Sequence, residues 1–193
     1  MLKINRQKDE RVVHACTNNL ADIPNGVTVC SAELVPDSVL LEGTAIAPAA
    51  DGLYHVCKTA KLTEAATTST TDYKVAKGHQ FKVGDFVMAK VGGKAYAITA
   101  INNGNPTYDV ITVGTTLGVA VKVGESLQLA AAESTGTSSK LKYAPIALTG
   151  DGYDIKKLDN HAVSAVTIGQ FKKDLIPAVS DDMMATLRGI VLI

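Results

Sequence analysis

The chain predicts a mainly β protein: a small β-barrel or sandwich, an extended N-terminal arm, and a C-terminal segment with a short helix and a terminal strand. Three observations carry this expectation. The 193 residues include 20 Val and 19 Thr, whose β-branched side chains are stiff and pack well on a pleated surface. Short apolar runs recur between Gly, Asn, Asp and Pro turn signals, the spacing of barrels and sandwiches. The 46% hydrophobic content contains no Trp and only 5% aromatics, so the core is small and aliphatic.

Residues 1–41 read as an arm or appendage. The charged start, Met1 to Arg11, has no hydrophobic stretch behind it and so lacks the pattern of a secretory signal. After the short run Val12–Cys16, Ile23-Pro24-Asn25-Gly26 reads as a turn, because Pro presets φ and Asn-Gly tolerates positive φ. Val27–Cys30 follows as a strand.

Residues 42–130 read as the barrel or sandwich domain. Strands are expected around 39–41, 53–57, 73–75, 85–89, 95–101, 108–113, 119–123 and 126–129. Gly92-Gly93 between two such runs predicts a two-residue hairpin. Val83-Gly84-Asp85-Phe86 is a turn feeding an apolar strand, as in many SH3-like barrels.

Residues 131–142 are small and polar, which suggests a linker or long loop. Residues 143–193 form the C-terminal segment, possible ground for oligomerisation. Val163–Ile168 suggests a strand. Ser180 is placed as an N-cap, with Asp181 and Asp182 at the positive end of a helix dipole. Arg188 and Gly189 suit the helix's C-terminal end. The final Ile190-Val191-Leu192-Ile193 calls for burial, at about 1.5–3 kcal/mol per aliphatic side chain.

Composition narrows function. Lys plus Arg and Asp plus Glu are both 19, for a net charge of zero. Nucleic-acid binders carry a basic excess, so no nucleic acid is expected. No run approaches the ~18 apolar residues of a membrane span, so no membrane partner is expected. Three Cys, an odd number, suggest no disulfide framework and a reducing site of synthesis.

Chemical motifs are weak. His14-x-Cys16 and His55-x-Cys57, with Cys30 between them, carry metal-ligand residue types, since strand positions i and i+2 share a face. No Cys-x-x-Cys accompanies them, so core packing is preferred and no metal is expected. Asp159, Asn160, His161 and Ser164 hold the letters of a triad without a Gly-x-Ser-x-Gly elbow. Asp151, Asp154 and Asp159 lack the calcium-loop pattern. Gly114 and Gly118 form no phosphate loop. No catalytic residue, enzyme activity or cofactor is expected.

Val39–Ile46, Asp51–Ala60 and Tyr73–Asp85, with Gly152–Asn160, Ala162–Val166 and Leu187–Val191 near the end, resemble auxiliary capsid (decoration) and head-fibre proteins of tailed bacteriophages, those of crAss-like phages most of all. The resemblance implies a β-rich structural virion protein on the outer capsid surface, made in the bacterial host cytoplasm. It implies the major capsid protein and the chain itself, as a homotrimer, as partners. Charge placement makes Lys3, Arg6 and Arg11 the capsid-contact candidates. Apolarity makes Met183, Met184, Leu187, Ile190, Val191, Leu192 and Ile193 the self-association candidates. The alternatives are a phage adhesin for host-surface glycan or protein, and an SH3-like binding module.

Overall fold

The computed structural model describes residues 13–156 and 159–193. It is mainly β, with 40% strand and 2% helix. The first strands are β1 (Cys16–Asp22), β2 (Val27–Val29), β3 (Val39–Leu40), β4 (Ala45–Pro48) and β5 (Tyr54–Val56). Next come β6 (Thr59–Lys61), β7 (Asp72–Ala76), β8 (Phe86–Met88), β9 (Ala95–Asn102), β10 (Tyr108–Val113) and β11 (Ser126–Leu129). The last are β12 (Ala147–Thr149), β13 (Tyr153–Asp154), β14 (His161–Val163), β15 (Ala165–Phe171), α1 (Asp181–Met184) and β16 (Ile190–Leu192).

Two larger sheets divide the chain unevenly along the sequence. The middle, from β6 to β11, forms a six-stranded sheet in the order β6-β11-β8-β9-β10-β7. It curls until its edge strands approach: Leu62 bridges Val75, and the Thr63 N–H donates to the Lys74 carbonyl at 3.0 Å. Leu62, Tyr73, Val75, Phe81, Ile98, Ile111 and Leu127 fill the inside. The alternation is plain on β10, where Asp109, Ile111 and Val113 are buried and their neighbours are half-exposed, the period-2 pattern of a strand with one face inward. Lys77 and His79 accompany the buried Asp109 carboxylate.

The two ends of the chain build the other sheet, in the order β1-β15-β12-β4-β5-β2-β14, with β16 beside β15. Residues 16–29 run antiparallel to residues 161–171 as one long ladder: Cys16 faces Phe171, and Val29 faces His161. Both strands break at the same level. The Gly26 N–H donates to the Ile23 carbonyl at 3.0 Å, and Asn25 takes φ +66°, which confirms the expected turn. Opposite it, Ser164 separates β14 from β15. The bent strand therefore pairs with β12 through β15 and with β2 through β14, so the sheet turns back on itself. Val29, Leu34, Leu40, Ile46, Ala147 and Val163 pack inside that turn. Ala45, Leu148, Val166 and Phe171 pack with the C-terminal segment.

Other expectations meet different outcomes. The sheets change over near residues 57 and 130, so β4 and β5, within the expected 42–130 unit, pair with the chain ends. Residues 131–142 are a long loop fastened to the central sheet: Ala130 bridges Leu141, and Ser134 bridges Ala95. The Gly92-Gly93 hairpin forms between β8 and β9, but its loop spans six residues, 89–94. Val119–Val123 is not a strand. Val121 exchanges two backbone bonds with Ala66, and then the Lys122–Glu125 turn, with Gly124 at φ +87°, ends the pairing. Ser180 caps α1 by accepting the Met183 N–H at 3.2 Å. The helix stops at Met184, so Arg188 and Gly189 do not end it. Gly189 instead lies against the Thr167 carbonyl, where a Cβ has no room.

Gly26 holds the bend. A Cβ there would stand 2.6 Å from the Val163 carbonyl oxygen, at φ +70°. Gly52 has φ +80° but nothing within 4 Å. Gly26→Ala is expected to cost about 2–3 kcal/mol, from left-handed strain plus the clash, and Gly52→Ala about 1 kcal/mol, from strain alone. Urea unfolding of both variants checks the difference, and equal losses would contradict the close approach.

Candidate functional site

The richest polar cluster joins three stretches of chain. His55, on β5, is buried, and Tyr143 stacks on its ring at 4.7 Å. Glu33 Oε2 lies 3.1 Å from His55 Nδ1, and Asp51 Oδ2 lies 2.9 Å from Nε2. The Tyr143 hydroxyl reaches both Glu33 oxygens at 3.0 Å, and Lys142 Nζ donates to Glu33 Oε1 at 2.7 Å. Burial would raise the Glu33 carboxyl, but hydrogen bonds from Lys142 and His55 bring it below its ordinary value. Asp51 is also lowered, first by His55 and then by the Leu53 N–H. Both imidazole nitrogens face carboxylates, and Glu33 is shared among three donors. The cluster clamps the loop before β3 and the β4–β5 hairpin to residues 142–143.

The cysteines are packing residues. Cys57 is buried, its thiol donates to the Tyr143 carbonyl at 3.3 Å, and burial pushes that thiol up. Cys30 is buried, and Cys16 is partly exposed. Burial, then the Glu42 charge, raises the Cys16 thiol. Glu42 also accepts the Ala15 and Cys16 N–H groups at 3.1 and 2.8 Å and sits 3.5 Å from His14. The His-x-Cys pairs thus face different partners. No group of three or more His, Cys, Asp or Glu among the described residues could hold a metal ion.

The triad letters are also dispersed. Asn160 Oδ1 accepts the Ser31 N–H at 3.2 Å, and His161 lies over Tyr153 at 4.5 Å. His161 lies on β14, whereas Ser164 lies in the break between β14 and β15. The Tyr153 hydroxyl is pushed up to about 12, by burial and then by Cys30. Two buried basic side chains belong to the frame. Burial lowers the Lys58 ammonium, which Asp85 opposes at 2.7 Å. Burial likewise lowers His79, against the nearby Asp109 charge.

Lys3, Arg6 and Arg11 lie outside the described residues. The self-association candidates divide into two groups. Met183, Leu187 and Ile190 are buried in this chain's own core, with Met184 and Leu192 packed against it. Val191 and Ile193 are 56% and 57% exposed. Val191 faces Gln170 on β15, so it shares the outer face with Ile168, which is 45% exposed. Leu20, in a bulge of the neighbouring β1, is 71% exposed. Sequence reasoning missed Leu20, which sits in a polar stretch, and read Ile168 only as the end of an expected strand rather than as an exposed contact residue. Three adjacent strands thus carry three bare aliphatic side chains at the edge of the terminal sheet, and Ile193 follows directly after β16.

No family model, curated protein or solved structure matches the chain. No helix among the described residues is long and apolar enough to cross a membrane.

Two expectations test the polar cluster and the thiols. Carboxyls lowered in the folded chain stabilise it above their unfolded value, and that stability is lost as pH falls through the folded value. Glu33→Gln should therefore cost about 1–2 kcal/mol at pH 7, discounted for its partial exposure, and flatten the loss of stability below pH 4.5. Urea midpoints from pH 3 to 7 check this, and an unchanged acid limb would refute it. In the folded protein, a thiol reagent should label Cys16 first and Cys57 only after unfolding. Rapid labelling of Cys57 in the native chain would contradict its burial.

Proposed function

We propose that the chain is a structural β protein that associates with its own copies and docks on the outer surface of a phage capsid. The observation that carries the reading is the group of exposed aliphatics Leu20, Ile168 and Val191 on β1, β15 and β16, with Ile193 just past β16. Each aliphatic side chain left in water forgoes about 1.5–3 kcal/mol available on burial, and grouped exposed apolar residues mark interaction surfaces. The zero net charge gives little self-repulsion to oppose association. The resemblance to auxiliary capsid and head-fibre proteins supplies the partner: the major capsid protein. A homotrimer would present three copies of each weak contact and gain by avidity.

Self-association should weaken at least tenfold in Ile168→Asp/Val191→Asp, read as a shift toward the single-chain mass in light scattering. A single-chain mass for the unaltered protein would remove the trimer. Saturable co-sedimentation with shells of the major capsid protein is the expected capsid result. A folded chain that stays in the supernatant would remove the capsid reading, and cell-binding would then test the adhesin.

A further inference from the structure

A cleft of about 1210 Å³ opens between the turn 119–126, the β8–β9 loop and residues 176–182 ahead of and within α1. We propose that this cleft seats an extended acidic peptide segment of the docking partner. The inference rests on the docking reading above and names the surface and chemistry it would use.

Charge carries it first. Lys61, Lys90, Lys122, Lys140 and Lys173 line the cleft, all exposed. The ion pairs among the described residues use Lys58, Lys74, Lys77 and Lys142 and none of these five. Three carboxylates also line the cleft, and two are committed locally. Asp182 Oδ2 accepts the Val91 N–H at 2.9 Å and Gln128 Nε2 at 3.1 Å, and Glu125 Oε2 accepts the Lys122 N–H at 2.8 Å. A chain of zero net charge therefore concentrates cations here.

Gln128 is the second observation. It lines the cleft at 2% exposure. Its amide nitrogen faces Asp182 and the Ala89 carbonyl, which fixes the orientation of the amide, and its Oε1 has no partner. An unpaired buried carbonyl favours a donor, such as a peptide N–H.

Size and lining select the ligand class. The volume exceeds the ~300–1,000 Å³ usual for small-molecule pockets. Val91, Val119 and Val123 are exposed at the rim and suit aliphatic side chains between the acids. No aromatic residue lines the cleft, whereas single-stranded nucleic acid is held on aromatic stacking platforms.

The test uses the full chain and a fluorescein-labelled 12-residue peptide of alternating Glu and Val, followed by anisotropy. Saturable binding that weakens from 50 to 300 mM salt is expected. Lys122→Glu/Lys140→Glu should weaken it at least tenfold. The control Lys74→Glu/Lys94→Glu changes the charge equally outside the cleft and should leave binding within twofold. Absent binding, equal losses in both variants, or equally tight binding of a 12-nucleotide single strand would overturn the proposal. Capsid shells run in parallel separate the two readings. If shells pellet the parent and the cleft variant alike, the cleft inference fails and docking stands. If the peptide binds at the cleft but shells pellet nothing, the capsid reading fails and the cleft stands as an acidic-peptide site.

Discussion

The long ladder between residues 16–29 and 161–171 is the constraint on which the rest depends. It joins the first described strand to the last long one. Its bend, at Gly26 on one strand and Ser164 on the other, lets a single strand serve both ends of a sheet. Without the bend, β2 and β12 would belong to separate, open sheets. With it, Val29, Ile46 and Val163 share one interior, and β15 has room on its flank for the parallel β16.

The polar network between the sheets follows from that geometry. Gln80 is buried and accepts the Val35 N–H at 2.9 Å, so the central sheet holds the loop ahead of β3. Lys82 and Lys142 reach Ala32 and Glu33 in the same loop. Asp182 bonds to Val91 and Gln128, so α1 is tied to the central sheet. These hydrogen bonds are directional, and those of Lys82, Lys142 and Asp182 are charge-assisted. They set the relative position of two apolar cores that each packs mainly within itself.

Legibility in the sequence tracked the range of the interaction. β8 to β10 could be read because alternation and turn residues are local signals. The Ile23–Gly26 turn and the Ser180 cap were equally local. β1 escaped notice because Cys-Thr-Asn-Asn-Leu-Ala-Asp is mostly exposed and polar. It is a strand through backbone pairing to residues some 150 positions away. Val119–Val123 failed in the opposite direction: its alternation is good, but Gly124 turns the chain before a second pair can form. The Glu33–His55–Asp51–Tyr143–Lys142 cluster was invisible for the same reason as β1, since Glu33, the Asp51–His55 pair and the Lys142–Tyr143 pair are far apart in sequence. The bare aliphatics were half legible. The terminal run announced Val191 and Ile193, but only the ladder puts Leu20 and Ile168 beside them.

The ladder also sets an order of events during synthesis. The central sheet, residues 59–129, is contiguous in sequence and can assemble as soon as it leaves the ribosome. The terminal sheet waits. Its N-terminal strands emerge first, yet their partners lie more than a hundred residues later in the chain, and such distant pairings form slowly. Until residues 147–165 have emerged, Val27, Val29 and Ile46 lack the partners that complete their interior. That interval is when the nascent chain is most open to chaperones, to misassembly, and to strand exchange with a neighbouring copy.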